Sequence, residues 1–425
     1  MKTILLLGAG KSATVLIDYL IETAKENKWK FIVADADKQQ VLAKTNHSPF
    51  AEAVALDVTN EEQRAALIQR AHVVISMMPP SLHFLVAKDC VEYRKHLLTA
   101  SYVDKQIKSL QEEIKQKKLL FLCEMGLDPG IDHMSAMKII HKIKEAGGHI
   151  TSFKSHCGGL VAPESDTNPW HYKISWNPRN VVLAGKAGAE YKVDNKIVHR
   201  DYNALFTDCD EVNIAELGNL AIYPNRDSLS YMPLYKLEDA NTFVRTTIRY
   251  PAYCKSWDAI VQSGLANEVD SIDAMELTFK RWSLPVVPFV NDVNRSMLEF
   301  LGLFDEMLVP STAKTSADVL QHLLETKLAM QPADKDMIVM LHEIEFETTA
   351  GQKKKIESSL IVKGQDSLRT AMATTVGLPL GIAAKLILND TIKLTGIHIP
   401  IQEEIYEPVL KELEKMGVVF EEIEK

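Results

Sequence analysis

Hydrophobic and polar positions alternate in blocks along the first 125 residues. Short, almost uninterrupted apolar runs lie at residues 4–7, 31–34, 53–56, 73–76, 97–100 and 119–123. Between them, apolar residues recur at helical spacing, as at Val15, Leu16, Tyr19 and Leu20, and helices are predicted over about 12–25, 61–70 and 82–90. Strands that are apolar on both faces, separated by amphipathic helices, predict a parallel sheet covered on both sides. Ligands of such sheets bind beyond the carboxyl ends of the strands. That edge holds Asp35, Asp57, Ser76, Thr99, Ser101 and Tyr102.

The first strand runs into Gly8-Ala9-Gly10-Lys11-Ser12-Ala13, and the second ends at Asp35. A glycine turn between strand and helix, with an acid at the end of the next strand, is the order of a Rossmann dinucleotide-binding unit. Gly8 permits the tight turn, Gly10 lets backbone approach a pyrophosphate, and Ala13 stands at the third glycine position. The helix start offers N–H groups and a partial positive charge to phosphates, and Asp35 can accept hydrogen bonds from ribose hydroxyls. Gly10-Lys11-Ser12 also looks like a P-loop, but that motif needs a glycine at position 5, which is Leu5.

After residue 125 the pattern changes. Gly126 to His133 carries turn residues, with Asp128 before Pro129 suited to a turn or a site, and Asp132 suited to a helix cap. Residues 150–156 alternate like a strand that Cys157-Gly158-Gly159 should break, and residues 170–176 look strand-like. An α+β second domain with a largely antiparallel sheet follows from this mixture. Residues 368–388 are apolar with helical periodicity, and about 402–416 are amphipathic. The predicted divisions are a dinucleotide domain over 1–125, a substrate domain over 126–370, and a helical segment over 371–425 that packs back on the first domain.

Composition narrows the classes. The 425 residues exceed one ordinary core, with 46% hydrophobic and 25% charged residues. A formal net charge of −9 disfavours a nucleic-acid partner. Five scattered cysteines have neither zinc spacing nor a disulfide pattern, so no metal is expected. No run is expected to reach membrane-spanning length, no signal-peptide core is expected at residues 4–7, and the expected location is cytoplasmic.

The strings Gly126-Leu127-Asp128-Pro129-Gly130-Ile131-Asp132-His133, Ser155-His156-Cys157-Gly158-Gly159-Leu160 with Ala162-Pro163-Glu164, and Tyr172-Lys173-Ile174-Ser175-Trp176 are specific. With the arginine segments at 223–228 and 245–250 and the closing motifs Ala371-Met372-Ala373 and Val376-Gly377-Leu378-Pro379, they resemble the saccharopine dehydrogenase family of the glutamate-forming type. The resemblance covers nearly the whole chain. It implies interconversion of saccharopine with glutamate and 2-aminoadipate 6-semialdehyde, using a nicotinamide cofactor. It places the cofactor on residues Ala9, Gly10, Lys11 and Ser12, Asp35, Asp57 with Val58, Met77, and Thr99 with Ala100. It implies Asp128, and more weakly Cys157 and Tyr102, as the proton-transfer groups. It implies Ser101, Asp128, Arg226, Thr247 and Arg249 as substrate ligands. A guanidinium suits a carboxylate, of which saccharopine has three. Spacing alone would favour surface arginines, or pairing with Asp227, over carboxylate binding at these positions.

One departure bears on the cofactor. The family's NADP-using members carry an arginine just after the second strand, where this chain has Ala34-Asp35-Ala36-Asp37. A carboxylate favours an unphosphorylated ribose, so NAD(H) is expected over NADP(H), with Lys11 or Lys38 left to meet a 2′-phosphate. Two other readings stand beside this one. The first is a related imine reductase such as a carboxynorspermidine dehydrogenase, whose pocket should hold acids in place of the arginines. The second is a non-catalytic NAD(P)-binding relative. A homodimer is an open expectation that no sequence feature supports.

Overall fold

The computed structural model describes all residues, Met1–Lys425. They form two compact units, one of Met1–Lys142 with Leu368–Val419, the other of Ile143–Ser367 with Phe420–Lys425. The boundaries expected at 125 and 370 therefore move. The first falls within the helix Ile131–Glu145, on which Met134, Met137 and Ile140 are buried. The C-terminal segment is not wholly helical either. Its last residues, Glu421–Glu424, pair as a strand in the second unit's sheet.

In the first unit, strands β1 (Thr3–Leu7), β2 (Lys30–Asp35), β3 (Ala51–Ala55), β4 (Val73–Ser76), β5 (His96–Thr99) and β6 (Leu120–Leu122) form an all-parallel sheet in the order 6-5-4-1-2-3. A late strand, Gly396–His398, adds beside β6. Helices α1 (Thr14–Asn27), α2 (Lys38–Lys44), α3 (Glu61–Arg70) and α4 (His83–Glu92) connect them. The strand order reverses between β1 and β4, which opens the crevice where ligands of such sheets lie. β1 and β4 are buried along their whole length, as the continuous apolar runs require.

The helix Ala371–Leu388 meets the length and hydropathy of a membrane span, with a hydropathy of 1.7, contrary to the expectation that no run would. Packing accounts for its composition. It lies on α1, and a Cβ at Gly377 would come within 3.0 Å of the Leu16 Cβ and one at Gly381 within 2.7 Å of the Tyr19 ring. Small residues let these two backbones approach, and 78% of the helix is buried inside the protein.

The second unit is built on a ten-stranded mixed sheet. Its strands are β7 (His149–Val161), β8 (Ala189–Val193), β9 (Lys196–Arg200), β10 (Asp210–Ile214), β11 (Gly218–Pro224), β12 (Arg226–Asp227), β13 (Thr242–Arg249), β14 (Asp336–Glu347) and β15 (Lys353–Lys363), with Glu421–Glu424. The long path runs β10-β11-β13-β7-β14-β15, and only the β13–β7 pair within it is parallel. β7 does not break at Gly158-Gly159. A Cβ at Gly158 would stand 2.4 Å from the Ile248 carbonyl oxygen, so glycine there admits the neighbouring strand. Residues 170–176 form no strand beyond a single bridge at Ile174. Trp170 and Tyr172 are core residues packed on Tyr253 and Trp257.

Candidate functional site

At the carboxyl edge of the parallel sheet, Gly8 turns the chain with φ +98°, where a side chain would be strained and would meet the Met77 backbone at 3.0 Å. Gly10 is extended and exposed, and a Cβ there would meet nothing within 4 Å. A single 3-10 turn, Lys11–Ala13, leads into α1, and no side chain caps either start. The Ala13 N–H donates to the Gly10 carbonyl, and the N–H groups of Lys11 and Ser12 are left for an anion. Asp35 closes the turn from β2: its Oδ2 accepts the Ala9 N–H at 2.7 Å and its Oδ1 accepts the Asp37 N–H. The first helix therefore starts as a 3-10 turn rather than a regular helix, but the cradle and the acid stand together. Lys11 and Lys38 are both exposed.

Lys44, which the sequence did not single out, reaches this turn from α2. Its ammonium donates to the Gly10 carbonyl. Burial pulls its pKa down to about 8, against the attraction of Asp35 and Asp18. A lysine 34 residues from the glycine turn carries no local signal of that role.

The next strand ends carry the remaining residues expected at the cofactor. Asp57 is exposed and accepts from the Thr59 hydroxyl and backbone N–H, which hold its carboxyl below the usual range. Val58 is buried beside it, and its carbonyl accepts from Arg64. Met77 donates its N–H to Leu7, which ties the end of β4 to the end of β1. Thr99 is buried, and Ala100 packs so closely that a Cβ at Gly126 would lie 2.9 Å from its own.

A buried polar chain joins these ends. Ser76 Oγ lies 2.8 Å from His83 Nδ1, and His83 Nε2 lies 2.7 Å from Ser101 Oγ and 3.4 Å from Thr99 Oγ1. The Ser101 N–H donates to Thr99 Oγ1. Burial pushes the His83 imidazole down to about 4, so it is neutral at pH 7. His83 opens α4, and a lone histidine at a helix start gave no signal in the sequence.

Tyr102 and Asp128 are half-buried on the loops that follow β5 and β6. The peptide bond joining Asp128 to Pro129 is cis. Asp132 does not cap its helix from outside: it lies in the first turn, where its Oδ1 accepts the Gly130 N–H at 2.6 Å. His133 is fully buried, 3.0 Å from Glu124 and 3.7 Å from Asp132. Glu124 in turn accepts the Val103 N–H, so this cluster fixes the loops that carry Tyr102 and Asp128.

In the second unit, Cys157 on β7 faces Thr247 on β13 in register, and both lie near the end where Arg249 stands. Thr247 pairs in register with Tyr223 on β11, whose hydroxyl burial pushes up to about 12. Arg249 is 5% exposed. Its guanidinium lies over the Tyr172 and Tyr253 rings at 5.3 and 5.5 Å. One nitrogen donates to the Ile248 carbonyl, the Nε has no partner, and the side chain makes no ion pair. Arg226 differs: it is exposed on the two-residue β12, with φ +52°. No group of three or more His, Cys, Asp or Glu side chains is arranged to hold a metal ion.

Two family profiles match almost end to end, "Saccharopine dehydrogenase NADP binding domain" over residues 4–122 and "Saccharopine dehydrogenase C-terminal domain" over 126–418. A saccharopine dehydrogenase [NADP(+), L-glutamate-forming] of Saccharomyces cerevisiae is 32% identical, with 99% of each chain covered. The solved apo structure of the histidine-tagged L-Glu-forming saccharopine dehydrogenase of that yeast superposes with a TM-score of 0.90 at 30% identity, over 100% of both chains. An alpha-aminoadipic semialdehyde synthase of Arabidopsis thaliana is 33% identical over 98% of this chain. The chain spans 44% of that relative's length, about half. By profile, sequence and fold, the chain belongs to the saccharopine dehydrogenase family.

Proposed function

We propose that the chain interconverts saccharopine with L-glutamate and 2-aminoadipate 6-semialdehyde, with a nicotinamide cofactor as hydride carrier. The observation that carries this reading is Arg249, a buried guanidinium with no acidic side chain beside it. An unpaired buried charge is costly, and a ligand carboxylate supplies the missing partner. An amine-rich substrate, as in the related imine reductases, would call for acids at that position.

The residues at the glycine turn fit a dinucleotide. The open space at Gly10 and the uncapped turn Lys11–Ala13 suit a pyrophosphate, and Asp35 is placed for ribose hydroxyls. When bound, the cofactor would accept hydride from, or return it to, the carbon of the C–N bond. The chain's own residues do the rest. Ser101, Thr247, Arg226 and Arg249 bind and orient the substrate, and Asp128 moves the proton at the secondary amine, with Cys157 and Tyr102 in support.

The choice of cofactor sets two arguments against each other. The matched profile and the yeast relative carry NADP in their names. Asp35 argues for NAD(H), because a carboxylate held at the ribose position repels a 2′-phosphate. We retain NAD(H) as the proposal and name Lys44, beside Gly10, as the cation that would offset that repulsion. The five free cysteines suit a reducing compartment, and the proposed location is the cytoplasm.

Saccharopine oxidation by the purified protein, with NAD and NADP in parallel, tests both points. Turnover with release of glutamate is the expected result. Protein that binds a cofactor yet turns over no saccharopine would overturn the reading. Asp35→Ser should shift the kcat/KM ratio toward NADP by ten- to a hundredfold, about 1.4–2.8 kcal/mol.

A further inference from the structure

We propose that His83 is a positioning residue that fixes the Ser101 hydroxyl as a hydrogen-bond donor to a carboxylate of the substrate. The inference rests on the proposed reaction for the identity of that carboxylate, but its first step follows from hydrogen-bond geometry alone.

Ser76 is 1% exposed, and the sole partner of its hydroxyl is His83 Nδ1, at 2.8 Å. A buried O–H must donate, and here it can donate only to that nitrogen. Nδ1 is therefore the acceptor. A neutral imidazole carries one N–H, which is then on Nε2, and it points at Ser101 Oγ at 2.7 Å. Thr99 Oγ1, 3.4 Å from the same nitrogen, accepts the Ser101 N–H and holds that residue's backbone in place. With its oxygen accepting from His83, Ser101 turns its own hydrogen away from the imidazole. It thereby becomes a donor suited to an oxyanion. The opposite tautomer would make Ser101 a donor to His83 and leave only an acceptor for the ligand. Ser76 thus acts at a distance. From the end of β4, two hydrogen bonds away, it sets the polarity of a ligand-binding hydroxyl beyond the end of β5.

Two measurements test this. Nitrogen-15 NMR of the full chain at pH 7.5, with the His83 signals assigned by their loss in His83→Gln, should place the proton on Nε2. A proton on Nδ1 would overturn the proposal, whatever the substrate. In steady-state kinetics, His83→Asn, whose amide is too short to reach Ser101, should raise the saccharopine KM about tenfold or more, the scale of one hydrogen bond to a charged group. The cofactor affinity and kcat should stay within about threefold, the room left by changes under one hydrogen bond. Ser101→Ala should have the same effect, and adding His83→Asn to it should cost nothing further. His83→Gln, whose amide nitrogen can take the place of Nε2, should restore most of the affinity. Additive losses in the double variant, or a fall in cofactor affinity alongside KM, would reduce His83 to a packing role and sink the proposal. A wild-type protein with no saccharopine turnover would remove the carboxylate and the parent reaction together, while the NMR result would still decide the tautomer.

Discussion

At the carboxyl edge of the parallel sheet, the proposed ligand surface is shaped by backbone. Gly8 turns at φ +98°, Gly10 leaves open space, and the uncapped turn Lys11–Ala13 presents N–H groups. In the second unit the corresponding surface is made by side chains. Arg249 lies against two adjoining tyrosine rings, with Thr247 paired to Tyr223 across neighbouring strands. A backbone site depends on a few small residues at fixed spacing and tolerates change elsewhere. A side-chain site depends on a packed aromatic shell drawn from segments far apart in sequence, here residues 172, 223 and 253.

The strongest test of that difference contrasts the two arginines. Arg249→Ala should lower kcat/KM for saccharopine by two to three orders of magnitude, the 2–5 kcal/mol typical of a desolvated charged pair. Arg226→Ala, at an exposed position, should cost about 1 kcal/mol or less. Arg249→Lys should recover only part of the loss, since an ammonium lacks the planar fork that stacks on the rings. Steady-state kinetics with saccharopine, together with thermal unfolding to show that each variant folds, would check the order. Equal losses at the two arginines would break the comparison.

A second difference lies in how the units hold titratable groups. His83 is kept neutral by burial, with its pKa lowered from 6.5 to about 4. Unfolding lets it bind a proton, so it disfavours the fold as pH falls from 6.5 toward 4. The loss is roughly 3 kcal/mol when complete, at 1.36 kcal/mol per unit. In the second unit Glu343 is held down to about 2 by its hydrogen bond to His156, aided by Lys355. Its contribution is present above pH 4.5 and lost only between 4.5 and 2. Urea unfolding across pH 3–7, followed by tryptophan fluorescence, separates the two. Four of the five tryptophans, 170, 176, 257 and 282, lie in the second unit, and Trp29→Phe would leave only those reporters. The first unit, followed by cofactor binding, should weaken about two pH units before the second. His83→Gln should flatten its early decline.

Much of the first unit was legible because its determinants are local. The apolar blocks place β1, β2, β4 and β5 within a residue or two, and the helix expected over 61–70 is found at Glu61–Arg70. Gly8, Gly10 and Asp35 could be named from spacing, since a strand-turn-helix needs them in that order. What escaped notice is what tertiary structure decides. His83 and Lys44 gain meaning only when α4 and α2 bring them to the strand ends. Gly158-Gly159 looked like a break because the reason for glycine there, the carbonyl of Ile248, lies 90 residues away in sequence. Residues 170–176 mimic a strand because their aromatic and polar residues serve a core and not a ladder. In the second unit the arginines stood out only through the family motif.

The smallest effects sharpen the backbone half of the comparison. Gly8→Ala forces a side chain to φ +98° and to 3.0 Å from the Met77 carbonyl group. The fold should lose about 1–3 kcal/mol, the range for one strained residue, and cofactor affinity should fall because the turn must shift. Gly10→Ala meets no steric neighbour and sits at an extended, exposed position, so stability should change by about 0.5 kcal/mol or less. Its methyl group would nevertheless occupy the space proposed for the pyrophosphate, and cofactor affinity should fall about as far as in the Gly8 variant. Thermal unfolding and a cofactor titration on the two proteins would separate these costs. If Gly10→Ala binds the dinucleotide as well as the wild type, the open space at residue 10 is not where the phosphates lie. The cradle would then have to be sought at the N–H groups of Lys11 and Ser12 alone.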